Sequence, residues 1–503
     1  MPSAAESTEV LVVGGGPVGM LLAGELRLNA TEVTVLEKLP EPSGRSRAFR
    51  LQPRTLEILD SRGLLDLFER DHLQWPKAHF AGIQPLLKLD RLDGARPYSL
   101  MIPQAETERL LEEWATGLGA EIRRGHELLS LAQDEEGVTA TVAGPRGNHT
   151  IRARYLVGCD GGRSTVRRAA GIGFSGTGGS VTALLGDIRL TDPGALPVGV
   201  PGTLRTPAGL LMAVALEEGV TRVLTTEFEG AAGADRDAPV TLEELRAAVR
   251  RVTGVDVPMD GQTWLSRFSD ATRLAERYRE GRVLLAGDAA HVHFPIGAQG
   301  LNLGLQDALN LGWKLAAEVA GRAPEGLLDS YHRERRPVAV RVLRETQAQL
   351  ALMHPDERVD ALRELFAELL ALDEVNLLLS ELVSGLDVVY DLTGGADLPV
   401  HPLTGRRAPD IALETVWGVT RTAELLRSGR PVLLDPTDSG KAAAAAAGWA
   451  DRVDVVTGRS AQDVSAPAVL VRPDGYVAWA AEQGDEGLRA ALTRWFGEDS
   501  ALS

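Results

Sequence analysis

"EVLVVGGGPVGMLLAGELRLNATEVTVLEK", residues 9–38, is the stretch on which the fold turns. Glu9–Val13 reads as a strand, Gly14–Gly19 as a glycine turn, the segment to Asn29 as a helix and Glu32–Leu36 as a second strand. Strand, turn, helix, strand opens a doubly wound α/β domain. Gly14, Gly16 and Gly19 stand at the G-x-G-x-x-G spacing. That spacing permits a tight turn, close approach of backbone to a pyrophosphate and close packing of helix on strand. The amides and dipole at the start of the helix favour phosphate charge. Glu37 closes the second strand, where a carboxylate can accept hydrogen bonds from an adenosine ribose. The segment predicts a dinucleotide site and leaves NAD and FAD open.

The whole chain sets outer limits. Its 503 residues suggest about three structural units at the usual length per domain. With 44% hydrophobic and 24% charged residues it is ordinary globular sequence. A net charge of -17 argues against a general nucleic-acid or anionic-membrane binder, because phosphate-rich surfaces repel it. Cys159 is the one cysteine, which excludes an intrachain disulfide and a thiolate metal cluster and fits a reducing cytoplasm. Glu6 and Glu9 stand where a secretory signal needs basic residues, and no apolar run of about twenty residues occurs.

Three further stretches carry chemistry. "PSGRSRAFRLQPRTLEILDSRGLLDLFE", residues 42–69, opens with Arg45, Arg47 and Arg50, then turns helical with Leu56, Leu59, Leu64 and Leu67 facing inward. An arginine there can clamp phosphate with two parallel bonds, or stand solvated at the surface. "ARYLVGCDGGRSTVRRAAG", residues 153–171, reads as a strand ending at Gly158, a turn at Asp160-Gly161-Gly162 and a helix capped by Ser164. Asp160 then faces the same nucleotide. In "LLAGDAAHVHFPIGAQGLNLGLQDALNLGWKLA", residues 284–316, a buried strand runs into Gly287-Asp288, and Leu301, Leu305, Leu309, Trp313 and Ala316 mark a helix.

The loop between them offers backbone amides and a positive helix end. Such an end suits a delocalised anion like a reduced flavin, and Asp288 is placed to hold ribityl hydroxyls. His291 and His293 form a His-x-His pair, but no further ligand cluster accompanies them. They read as packing and loop hydrogen bonds, with a base role for His293 as the second option and no metal.

These motifs, with "LLDSYHRERRPVA" at 327–339, resemble the FAD-dependent aromatic hydroxylases of the p-hydroxybenzoate hydroxylase type, within them most nearly the enzymes that oxygenate polycyclic aromatic polyketides. The resemblance implies FAD, with NADPH or NADH as a transient reductant, and oxygen transfer through a C4a-hydroperoxyflavin. Position by position it implies that Gly14, Gly16, Pro17 and Gly19 with Glu37 hold the adenosine and pyrophosphate, with Arg45 near the phosphates. It implies cofactor contacts for Gln104 and Asp160, and ribityl contacts for Gly287 and Asp288. Pro295, Gly297, Ala298, Gln299, Gly300, Leu301 and Asn302 are implied to touch the isoalloxazine. Where many relatives have a second glycine this chain has Ala298, as the p-hydroxybenzoate enzymes also do.

No catalytic side chain is assigned. Baeyer-Villiger insertion into a polycyclic ketone and a non-oxygenating FAD-binding protein stay open as alternatives. The implied fold is α/β: a Rossmann-like FAD-binding domain of the glutathione reductase type (1–75, 100–174 and 276–390), an inserted β-sheet substrate domain (76–99 and 175–275) and a thioredoxin-like C-terminal domain (391–503). Residues 76–99 are expected to join the substrate sheet, and Leu210, Met212 and Phe228 are candidates to line an aromatic pocket. "LTGGADLPVHPLTGRRAPD" reads as a Gly/Pro/Asp-rich connector into the last domain, which contains no cysteine, so thiol redox chemistry is excluded there. "KAAAAAAGWA" reads as helix rather than disorder. The expected partners are a polycyclic aromatic small molecule and dioxygen, with no nucleic acid and no membrane, and a homodimer is admitted.

Overall fold

Val10, Leu11 and Val12 are wholly buried because their strand, Glu6–Val13, lies in the middle of a sheet covered on both faces. The computed structural model describes residues 6–94, 96–190, 192–198, 202–217, 219–228, 238–392, 401–462, 464, 466–480 and 486–499. The opening stretch folds as strand Glu6–Val13, helix Pro17–Leu28 and strand Val33–Glu37. The central strand pairs in parallel with Val33–Glu37 on one side and with Gly147–Gly158 on the other. Glu121–Arg124 extends the sheet beyond the former and Val283–Leu285 beyond the latter, again in parallel.

Numbered along the chain, these five strands run 3-2-1-4-5 across the sheet. Winding therefore reverses between Glu6–Val13 and Gly147–Gly158, which end in register at Val13 and Gly158. In open α/β sheets that switch point opens a crevice beyond the strand ends. The Gly14 turn and the Asp160 turn both leave from it.

A second sheet of five antiparallel strands runs Gly202–Thr206, Gly209–Glu217, Val220–Glu227, Thr182–Leu190, Met259–Ser269. One face packs on the helix Leu242–Thr253, which Thr241 caps through a bond from the Glu244 amide. Residues 76–99 do not join this sheet, contrary to expectation. Lys77–Phe80 and Ile83–Lys88 pair with each other around Ala81 and Gly82, both with positive φ, a turn that closes a hairpin locally. The hairpin packs on the sheet's other face through Phe80, Ile83 and Leu87.

The helical stretch expected after Arg50 is two helices, Pro53–Asp60 and Leu65–Glu69, broken where Gly63 takes φ +70°. Leu56, Leu59 and Leu64 are buried and Leu67 is half-buried. Beyond residue 400 a four-stranded sheet runs Asp454–Thr457, Val432–Asp435, Val469–Val471, Val477–Ala480, with only the third antiparallel to its neighbours. The alanine run is helical over Lys441–Ala445. Part of the predicted connector, residues 393–400, lies outside the described residues.

This unit is tied to the first through buried charge. Arg472 donates to Glu334 at 2.9 Å, and Lys314 donates to the same carboxylate at 2.8 Å. Among the described residues, no helix is long and apolar enough to cross a membrane.

Candidate active site

The three glycine positions of the first motif meet three different surroundings. A side chain at Gly14, where φ is +112°, would overlap the Cys159 carbonyl, and one at Gly19 would overlap the Gly14 carbonyl. At Gly16 nothing lies within 4 Å of an added Cβ. Two glycines thus let backbone pack on backbone, and the middle one faces open space, as a pyrophosphate requires. Pro17 begins the helix, where its missing N–H costs no bond. Glu37 accepts from the Gly15 amide at 2.8 Å and the Leu39 amide at 2.9 Å, which holds its carboxylate beside the turn.

Across the switch point, Asp160 Oδ2 accepts from the Thr165 and Val166 amides at 2.7 and 3.1 Å, while its buried Oδ1 has no partner among the described residues. Ser164 caps the same short helix, as its sequence predicts. Cys159 is packed at the edge of the core, and burial pushes its thiol up, away from reactivity.

The third motif folds back onto the first. Gly287 takes φ +62°, and added Cβ atoms at Gly287 and Gly304 would both press on Val18 of the first helix, at 3.0 and 2.7 Å. This close approach sets the start of the helix Gln299–Val319 beside the Gly14 turn. Asp288 is exposed at the corner and makes no hydrogen bond or ion pair among the described residues. Gly297 and Ala298 both take left-handed backbone, at φ 71° and 55°, turning the chain from exposed Pro295 into the helix. No side chain caps that helix, 21 residues long, so the amides of its first turn and its positive end are left to a ligand.

Sequence reasoning missed the residues that hold this corner. Asp307, one turn past Leu303, accepts from the Gly287 amide, His291 Nε2 and Arg335 Nε. Tyr331 donates to the Leu285 carbonyl at 2.7 Å. The signal was an acid in the middle of a helix whose other residues are mostly apolar or uncharged. Asn302 spends its side chain on the chain itself: Oδ1 accepts from the Gln52 amide and Thr55 Oγ1, and Nδ2 donates to the Arg50 and Ala298 carbonyls. Gln104 likewise accepts from the Ala48 amide and donates to Glu108. Arg45 is exposed, and its guanidinium makes no bond to the three turns. Arg222 reaches from the antiparallel sheet to the carbonyls of Ser46 and Arg47 and pairs with Asp187 at 2.7 Å.

His291 and His293 diverge. His291 is spent on Asp307, whereas His293 Nδ1 donates to the Phe294 carbonyl at 2.8 Å, which leaves Nε2 as an unpartnered acceptor beside Gly300. Burial holds the His293 imidazole below its ordinary range. Among the described residues no group of three or more metal-ligating side chains occurs. Leu210, Met212, Phe228 and Phe268 share one apolar cluster with Phe294 and Ile296 of the loop, with the Phe268 and Phe294 rings 5.6 Å apart. The loop that leads into the uncapped helix end is thus packed against an apolar sheet face.

Residues 7–346 match the model of an FAD binding domain, and residues 401–499 match that of the aromatic-ring hydroxylase C-terminal domain. The chain belongs to the FAD-dependent aromatic-ring hydroxylases. It is 48% identical to the rifampicin monooxygenase of Streptomyces venezuelae over 98% of this chain and 99% of that one. The structure of the anhydrotetracycline hydroxylase of Streptomyces rimosus superposes with a TM-score of 0.92 at 45% identity, covering 98% of this chain and 100% of the other. A dialkyldecalin synthase from Streptomyces rugosporus is 42% identical over 98% of this chain and 99% of its own length.

This hydroxylase is a flavin-dependent monooxygenase, and FAD is its cofactor. The residues present fit that group: they offer open space at Gly16, an unpartnered Asp160 Oδ1, a free Asp288 carboxylate and an uncapped helix end.

Proposed function

We propose that the chain hydroxylates a polycyclic aromatic polyketide in antibiotic-type metabolism, consuming NADPH or NADH and dioxygen. One observation carries the reading: Phe294 and Ile296, which lead into the uncapped helix end at Ala298–Asn302, share one apolar cluster with Leu210 and Phe268 of the antiparallel sheet. FAD bound there supplies the activation of dioxygen for transfer to an electron-rich ring carbon. The chain's own residues then have distinct tasks. Gly14, Gly16, Pro17, Gly19 and Arg45 receive the pyrophosphate, Glu37 the adenosine ribose, Asp160 and Gln104 the middle of the cofactor, and Gly287 with Asp288 the ribityl chain. Pro295 and the amides of Gly297–Asn302 receive the pyrimidine edge of the ring, where a helix end stabilises negative charge by about 0.3 to 2 kcal/mol. The apolar face keeps water from the reacting oxygen.

The relatives' action on anhydrotetracycline and rifampicin supports the substrate class. The dialkyldecalin synthase favours one second reading, a protein that holds FAD and closes a carbon ring without adding oxygen. The 3-2-1-4-5 sheet supports a glutathione reductase type of FAD domain over 1–75, 100–174 and 276–390, with 76–99 and 175–275 covering substrate. The last sheet, with its third strand reversed, supports a thioredoxin-like unit over 391–503. A cytoplasmic home, on the lone cysteine, and a homodimer belong to the same proposal.

The test is turnover of the purified yellow protein with NAD(P)H, isotopically heavy dioxygen and a panel of anthracycline, angucycline and tetracycline-type precursors, read by product mass. One heavy oxygen retained as a ring hydroxyl supports the proposal. A lactone points to Baeyer-Villiger insertion, and conversion without gained oxygen points to ring closure.

A further inference from the structure

Between the helix Gln299–Val319, the helix Asp329–Met353 and the end of the helix Asp373–Ser384 lies a narrow crevice lined by Gln299, Asn302, Gln306, Arg341, Val342 and Ser384. It has room for about one water molecule. Gln299 and Arg341 line it, and Glu345 and Gln349 follow Arg341 along the same helix face behind it, Gln349 Oε1 accepting from the Ala81 amide. Gln299 is 5% exposed and neither end of its amide has a partner among the described residues. Gln349 is fully buried with Nε2 unpartnered, and Glu345 is 6% exposed with no hydrogen bond to either carboxylate oxygen. Buried polar groups are ordinarily paired, so three neighbours in this state mark a site rather than packing.

Their order follows from helix geometry. Arg341, Glu345 and Gln349 are four residues apart and share one face of their helix. At the outer end Arg341 Nη2 donates to Asp387 at 2.9 Å, and both side chains reach solvent. At the inner end Gln349 and Gln299 meet at Gly297, where an added Cβ would lie 3.4 Å from Gln349 Nε2 and 3.7 Å from Gln299 Cγ. Glu345 stands between, with Arg341 Nε 3.3 Å from its Oε1 but not aligned to bond. Burial pushes the Glu345 carboxyl up to about 7; Arg341 and Arg344 on its own helix oppose the shift and Asp387 on the neighbouring element adds to it.

The established reaction class needs a proton path. NAD(P)H, one proton, dioxygen and substrate give NAD(P)+, hydroxylated product and water, so each turnover takes up one proton net, while the apolar cover shuts out bulk water. Resting on the FAD reading above, we propose that Glu345 exchanges protons between solvent at the Arg341–Asp387 pair and the loop Gly297–Gln299, through water held in this crevice. The neutral carboxyl gives its proton to the crevice water, which passes one inward; the carboxylate regains a proton from solvent at the Arg341–Asp387 end, and no electrons move. Gln299 and Gln349 orient the water.

The test compares the FAD-loaded protein with Glu345→Gln and Glu345→Asp. Infrared difference spectra of the oxidised protein, without substrate or reductant, should show a protonated-carboxyl band that vanishes as pH rises through about 7 and is absent from Glu345→Gln. Oxygen consumption should fall about a hundred-fold in Glu345→Gln, lose its pH dependence near neutrality, recover in Glu345→Asp and recover with added formate. A band that persists in Glu345→Gln, or an unchanged pH profile, overturns the proposal. Should Glu345→Gln fail to fold, Asp387→Asn must move the band's midpoint to lower pH, since a negative neighbour is removed; an unmoved midpoint is equally fatal. Failure of the FAD reading is distinct: the protein would then be colourless, with the infrared titration still readable.

Discussion

Nε2 of His291 lies 2.7 Å from Oδ2 of Asp307, and neither side chain is reached by solvent. The same carboxylate accepts from the Gly287 amide at 3.2 Å and from Arg335 Nε at 2.7 Å, so one side chain pins the Gly287-Asp288 corner to two helices. Burial pushes the Asp307 carboxyl up, but Arg335 and His291 outweigh it and hold it below the usual range. Asp307→Asn should lower stability by about 3 to 5 kcal/mol, because Arg335 loses its counter-charge where water cannot replace it. Urea unfolding and retained yellow colour measure this. A depressed carboxyl stabilises fully above its unfolded value of about 4 and loses that contribution as pH falls below it, so the variant should also unfold less steeply in acid. An unchanged urea midpoint would refute the assignment.

Gly16 and Gly19 separate folding from cofactor binding. Alanine at Gly19 collides with the Gly14 carbonyl, a backbone atom that cannot step aside, whereas alanine at Gly16 meets nothing within 4 Å and keeps an ordinary φ of -77°. Gly16→Ala should therefore melt within about 0.5 kcal/mol of the parent, as surface substitutions do, yet bind FAD at least about ten-fold more weakly, because its methyl stands where the pyrophosphate must come. Gly19→Ala should lose both. Flavin fluorescence titration beside thermal melting distinguishes them, and equal FAD affinity in Gly16→Ala would place the pyrophosphate elsewhere.

How much of this was legible follows from the range of each signal. Glycine spacing, strand runs and the Leu301–Ala316 helix are local, and each appears where the sequence puts it. The hairpin Lys77–Lys88 was misjudged because β-prone residues state a wish to pair without naming the partner, and the turn at Ala81-Gly82 supplied one within the segment. Gln52 and Arg222 were invisible for another reason. Gln52 meets Asn302 across 250 residues and Arg222 meets Ser46 across 176, and no periodicity encodes such distances.

Asn302 is the joint between those distant segments. Its side chain closes four bonds to Arg50, Gln52, Thr55 and Ala298, and Gln52 in turn donates to the Gly297 carbonyl at 3.0 Å. Asn302→Leu keeps the volume and strands the buried Gln52 amide and the Thr55 hydroxyl, at a cost of about 1 to 3 kcal/mol for each orphaned group. Asn302→Asp keeps both acceptor bonds and should be the milder change. The order of the two melting temperatures checks this, and a leucine variant more stable than the aspartate variant would contradict it.

His79 makes the cover of the site acid-sensitive. It lies on the hairpin strand Lys77–Phe80, its Nδ1 has no hydrogen-bond partner among the described residues, and burial together with the Arg50 charge pushes its imidazole down to about 4. In the unfolded chain the ring takes a proton near pH 6.5, so between about 6.5 and about 4 the unfolded state binds more protons than the folded one. Stability is therefore greatest above that window and declines as pH falls through it. Protection factors against hydrogen exchange at the amides of Ala78 and Phe80 should fall as pH falls through this range, and His79→Phe, which cannot be charged, should hold them constant. An acid-induced fall in protection that survives in the phenylalanine variant would assign the loosening to another group.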